Sequence, residues 1–116
     1  MRFGHVEIFV RDPLRARAFY EQVLGFQVVD VQAGKFVWMR LGQSEILLRP
    51  GTGTVRPDTY QTSPQAIVLY ADDLPAMMAE LEERGLVFAG NDGSERCPTF
   101  TDPDGNWFQL VDPRHT

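Results

Sequence analysis

The stretch Val6-Glu7-Ile8-Phe9-Val10-Arg11-Asp12-Pro13-Leu14, running on to Phe19-Tyr20-Glu21-Gln22-Val23-Leu24-Gly25, decides the fold, because its landmarks return once further along the chain. Val6, Ile8 and Val10 alternate with Glu7 and Phe9, the period of a strand whose two faces differ. Asp12-Pro13 then offers an N-cap carboxylate to the orphan amides and a proline at the first helical position. Residues 14–24 read as a helix with Leu14, Ala18 and the Phe19/Tyr20/Val23/Leu24 group on its apolar side, and Gly25 stands where a left-handed stop is wanted. Residues 26–31, 35–41 and 45–49 follow as three strands, with turns at Gly34 and at Gly42-Gln43-Ser44.

The echo lies 60 residues on. Residues 66–71 read as a strand, Asp72/Asp73 as a cap, 74–84 as a helix and Gly85 as its stop. Asp12 and Asp72, Leu14 and Leu74, Ala16 and Ala76, and Gly25 and Gly85 all share that one offset. Short strands at 86–89, near 99–101 and at 107–111 complete a second module, so the expected fold is α+β, a βαβββ unit used twice. One domain over residues 1–116 is expected: module one about 1–50, a linker about 51–64 rich in Pro and Gly, and module two about 65–116. Half the chain buries too little surface to stand alone, so the modules are expected to share a core or a sheet.

Composition narrows the function. The chain has 116 residues, 11 basic against 16 acidic side chains, and a net charge of −5. Its arginines are scattered rather than striped, which argues against nucleic acid or a membrane surface as partner. The longest apolar run, 66–71, is too short to span a bilayer, and no basic segment followed by an apolar stretch opens the chain. One cysteine, Cys97, makes neither an internal disulfide nor a thiolate metal cluster, and a reducing cytoplasm is the expected setting. Cys97 reads as a buried, inert thiol. The Asp102-Pro103-Asp104-Gly105-Asn106 run fails as a calcium loop, having Trp107 at its sixth position and Pro113 at its twelfth, and reads as a tight turn.

Three segments, 5–12, 16–26 and 100–107, resemble the vicinal oxygen chelate superfamily, the group of glyoxalase I, bleomycin-resistance proteins and extradiol dioxygenases. The Phe-Tyr…Leu-Gly-Phe helix end and the Asp-Pro-Asp-Gly-Asn turn carry the likeness. It implies two βαβββ modules curling into a mixed sheet with a concave cavity, and a homodimer. In the metal-dependent members of the family four cavity positions supply His or Glu ligands. Carried over residue by residue, these fall on His5, on Gln65 60 residues later, on Gln109 after the turn, and on Leu47 or Leu48, with Leu48 taken as the cavity position. One imidazole and two neutral amides make a poor set for a first-row cation, so no metal and no cofactor is expected.

The expected site is therefore an aromatic, metal-free cavity. His5, Phe9, Trp38, Leu48, Tyr60, Gln65, Trp107 and Gln109 are its candidate ligand-binding residues. Residues 50–64 are expected to be the most mobile long segment and to border the cavity, either as a plain connector or as a lid that closes Tyr60 over a ligand. His5 and Glu7, two apart on one strand face, are the weak candidates for an acid–base pair. The function expected is sequestration of a small aromatic or amphipathic ligand, with the acidic field slightly favouring a cationic one. The alternatives are a metal-dependent lyase, isomerase or dioxygenase of the same superfamily, and a regulatory or accessory domain with a vestigial cavity.

Overall fold

A computed structural model of the protein describes residues 1–51 and 56–115. The chain forms two compact units, Met1–Thr54 and Val55–Thr116. The first holds strand β1 (Val6–Val10), helix α1 (Pro13–Phe19) continued by a π-helical turn (Tyr20–Leu24), and strands β2 (Gln27–Gln32), β3 (Phe36–Leu41) and β4 (Ser44–Pro50). Its sheet has the order β1-β4-β3-β2, with β1 parallel to β4 and the other neighbours antiparallel. The second holds a short 3-10 turn (Tyr60–Thr62), strand β5 (Ile67–Tyr70), helix α2 (Leu74–Glu83), and strands β6 (Thr99–Thr101) and β7 (Trp107–Val111), ordered β5-β7-β6. The α+β class and the doubled strand–helix–strand plan stand.

The register explains which side chains form the core of the first unit. Val6 pairs with Ile46 and Ile8 with Leu48 across β1 and β4, while Val37 and Met39 of β3 face Leu48 and Ile46. Ile8, Val10, Val37, Met39, Ile46 and Leu48 are all buried, joined by Ala16, Tyr20, Leu24 and Phe26. Asp12 caps α1, its carboxylate accepting from the Leu14 and Arg15 amides at 3.1 and 3.3 Å. Gly25 ends the helical run at φ 86°, a conformation that disfavours any side chain.

Two expectations about the repeat need correction. The N-caps are Asp12 and Asp73, 61 apart, whereas the stops Gly25 and Gly85 are 60 apart. The first helical run therefore holds one residue more than the second, and the π turn at Tyr20–Leu24 absorbs it, closing the wider ring without displacing the stop. In the second unit no strand forms at 86–89. The amide of Ala89 donates to the Thr99 carbonyl and that of Thr99 to the Gly90 carbonyl, and an isolated bridge joins Asn91 to Pro98. Pro98 has no N–H to donate, so the ladder stops there. The second sheet is left with three strands.

The aromatic core of the second unit is a ring cluster. Phe100 and Phe108 stack at 5.1 Å with planes 5° apart, and Phe88 meets Phe100 edge-on at 5.9 Å. The 102–106 turn is stapled by the buried Asp102 carboxylate, which accepts from the amides of Asp104 and Asn106 and from the Asn106 side chain at 2.8–2.9 Å. That Asp is a turn residue with its oxygens occupied. At the end of β7, Arg114 donates to Asp112 and to the Asp72 carbonyl, tying the C-terminal 3-10 turn to the start of α2. Among the described residues no helix is long and apolar enough to cross a membrane.

Candidate functional site

One face of the first sheet carries α1's contacts; the other carries side chains of a different kind. Glu7 pairs with Leu47 and Leu47 with Trp38, forming one row across β1, β4 and β3. Phe9 pairs with Arg49 in the next row, and the Arg49 guanidinium lies 5.3 Å from the Phe36 ring centre. Just before β1, the His5 ring meets Trp38 edge-on at 4.6 Å.

A polar chain crosses these rows. Arg49 Nη1 donates to Glu7 Oε1 at 3.0 Å, and His5 Nε2 to Glu7 Oε2 at 3.3 Å. A carboxylate only accepts, so this contact places the imidazole proton on Nε2. The Arg49 guanidinium hydrogen-bonded to Glu7 holds its carboxyl below the usual carboxylate range, and the His5 contact adds to the effect. The Trp38 indole N–H donates to Gln32 Oε1 at 2.9 Å, fixing the ring on the face. Phe9 is exposed, and its ring lies against Gly51, where an added Cβ would come within 2.8 Å of Phe9 Cδ1.

Register relocates two predicted positions. By register Leu48 sits with Ile8 and Val37 on the helix-facing side, so the residue on the His5/Glu7 face is Leu47, itself only 4% exposed beneath its neighbours. Gln65 precedes β5 and is exposed. The 61-residue spacing of the caps makes Ala66 the counterpart of His5, one residue later than a constant offset gives.

The second unit treats its polar residues differently. Gln109 on β7 is buried with both ends of its amide engaged: Tyr60 Oη donates to Gln109 Oε1 at 2.9 Å, and Gln109 Nε2 donates to Asp92 Oδ2 at 2.5 Å. Trp107 is buried as well, its indole N–H donating to the Pro57 carbonyl at 2.8 Å and its ring meeting Tyr60 edge-on at 6.5 Å. Arg56 donates to Asn106 at 3.0 Å and Gln61 to the Asn91 carbonyl at 2.7 Å. Within the 50–64 segment, Arg56, Pro57, Tyr60 and Gln61 are thus hydrogen-bonded to β7 and its flanking loops; 52–55 lie outside the described residues. Burial pushes the neighbouring Cys97 thiol up, and the Asp92 charge pushes it further, so the thiol stays protonated and a poor nucleophile.

Sequence reasoning missed Arg49, Phe36 and Asp92. Phe36 carries a signal, standing two residues from Trp38 on the same strand face, and Arg49 carries one only once Leu47 rather than Leu48 is placed on that face. Asp92 carries none; only folding brings it to Gln109.

The residues at the family's four ligand positions do not fit a divalent cation. His5 is engaged by Glu7, Leu47 offers no donor, neither Gln65 nor Ala66 is an imidazole, and both ends of the Gln109 amide are taken. Among the described residues no group of three or more His, Cys, Asp or Glu is placed to hold a metal ion.

Two units, each opening strand–helix and carrying a mixed sheet, define an α+β protein of the doubled-module class. The chain belongs to the Glyoxalase/Bleomycin resistance protein/Dioxygenase superfamily, whose family model matches residues 2–110. No curated protein matches it. Its fold is similar to lactoylglutathione lyase from Agrobacterium tumefaciens, with 20% identity, TM-score 0.73, and coverage of 98% of this chain and 95% of that one. It is also similar to the fosfomycin resistance protein FosX from Mesorhizobium loti, with 19% identity, TM-score 0.73, and 95% and 90% coverage. TnmS3, an antibiotic binding protein from Streptomyces sp. CB03234, is 25% identical with TM-score 0.64 over 97% and 98% of the two chains.

Proposed function

We propose that this protein binds a small, flat organic molecule on the aromatic face of its first unit, without a metal. The observation that carries this reading is the pairing of an apolar Leu47 at a ligand position with three rings around it. Trp38, Phe36 and Phe9 offer stacking surface, while Glu7, His5 and Arg49 offer polar contacts on the same side of the sheet. The similarity to an antibiotic binding protein supports the same reading. The lyase and fosfomycin-resistance neighbours support the fold alone, at their lower identity.

Binding needs no chemistry from the polar chain. Glu7 is neutralised by its partners, and the pair fixes Arg49 and His5 in place beside the rings, so little side-chain entropy is lost when a ligand arrives. We further propose that the chain acts as a homodimer, as the family likeness implies. A thermal-shift screen of planar aromatic antibiotics, run alongside metal quantification of the purified protein, tests the reading. The expected result is stabilisation by one or more compounds in a protein holding well under one metal per chain. Stoichiometric metal whose removal abolishes the stabilisation would refute it.

A further inference from the structure

The charge of the ligand is decided by how Glu7 is used. The acidic chain as a whole favours cations, but that field is screened within about 8–10 Å in physiological salt, so the local groups decide. Each Glu7 oxygen already accepts one hydrogen bond, Oε1 from Arg49 at 3.0 Å and Oε2 from His5 at 3.3 Å. The Arg49 guanidinium already compensates this carboxylate's charge, which weakens its pull on a ligand cation. Nearby, Glu45 is paired with Arg40 at 3.3 Å. Asp30 stands in Trp38's row on β2, not in the row of Arg49.

Arg49 is the opposite case. One of its five N–H donors goes to Glu7, and its side chain remains 42% exposed. Its plane is backed by the Phe36 ring at 5.3 Å, its register neighbour on β1 is the exposed Phe9, and Lys35 Nζ lies 5.5 Å from the same Phe36 ring. A guanidinium held at one corner and lying beside aromatic rings presents a fork that matches a carboxylate in two parallel hydrogen bonds.

We propose that Arg49 recognises the carboxylate of a planar aromatic acid whose ring stacks beside Phe9, Phe36 and Trp38. This rests on the small-molecule reading above and adds the ligand's charge and the residue that reads it. Glu7 is then a positioning residue: it orients Arg49 and touches no ligand.

The test uses three probes of one ring system on the intact chain: 2-naphthoate, 2-naphthylmethanol and 2-naphthylmethylammonium, titrated by tryptophan fluorescence and by backbone amide NMR. The expected order is naphthoate tightest, by about tenfold over the alcohol, with the cation weakest. Arg49→Met keeps the apolar stem and is expected to bring the ratio of naphthoate to alcohol affinity down to about one. Arg49→Lys is expected to restore part of the preference, as a point charge without the fork. Equal binding of acid and alcohol, tighter binding of the cation, or an unchanged preference in Arg49→Met overturns the carboxylate proposal while leaving small-molecule binding intact. No binding of any probe up to millimolar concentration, with unmoved amide signals on β1, β3 and β4, overturns the binding reading itself and this proposal with it.

Discussion

The two units spend their polar side chains in opposite ways. In the first, Glu7, His5 and Arg49 form a chain on a part-exposed sheet face with donors to spare, beside rings that solvent still reaches. In the second, Gln109 is buried, its amide is consumed by Tyr60 and Asp92, and Trp107 is closed over by the 56–61 segment. A repeated module has therefore produced one surface whose polar groups still face solvent and one covered by its own chain. The physical distinction is whether the donors face solvent, not the residue types: a buried glutamine bonded at both ends is out of a ligand's reach, whereas Arg49 is 42% exposed.

The comparison breaks most visibly at Gln109. Gln109→Leu is expected to destabilise the protein by about 1–3 kcal/mol, because the Asp92 carboxylate and the Tyr60 hydroxyl each lose a partner. Chemical denaturation measures this, and a loss near zero would mean the second network is not a structural one. Tyr60→Phe removes one hydrogen bond and keeps the ring against Trp107, so a smaller loss of about 1 kcal/mol is expected by the same assay. With Tyr60 tied to Gln109, neither change should alter ligand affinity more than the stability loss accounts for. A large affinity change without one would restore the lid.

In the first unit the expected effects are smaller. Ala33 occupies the left-handed region at φ 52° in the exposed turn between β2 and β3. Ala33→Gly is expected to stabilise by about 0.5 kcal/mol, the relieved strain slightly exceeding the added chain entropy. The exposed Glu7–Arg49 pair contributes least. Because the Glu7 carboxyl is held low in the folded protein, its contribution is present above the ordinary carboxylate range and fades as pH falls through the lowered value. Melting curves of the protein and of Glu7→Gln should differ slightly near neutral pH and converge in acid; a gap that widens in acid would reverse the sign of the assignment.

Much of this architecture was legible because it rests on local chemistry. Asp12 beside Pro13, Gly25 after Leu24 and the alternation of Val6, Ile8 and Val10 each fix a backbone element within a few residues, and the structure places cap, stop and strand there. What escaped was non-local or a matter of one residue. The extra residue in the first helical run has no compositional mark, yet it moves the counterpart of His5 from Gln65 to Ala66. A strand's faces alternate residue by residue, so choosing Leu48 over Leu47 exchanged the core face for the open one. Pro98 could have warned against a full ladder at 86–89. The joining of Asp92 to Gln109 depends on tertiary packing that no local pattern announces.

In the function proposed, the open face of the first unit takes its ligand without metal. Titration of 2-naphthoate against the protein in excess EDTA, and again with saturating Zn²⁺ or Ni²⁺, tests it most directly. Metal-free binding predicts the same dissociation constant in both and no chemical change in the probe. Binding that appears only with the metal, and vanishes again on chelation, would contradict it.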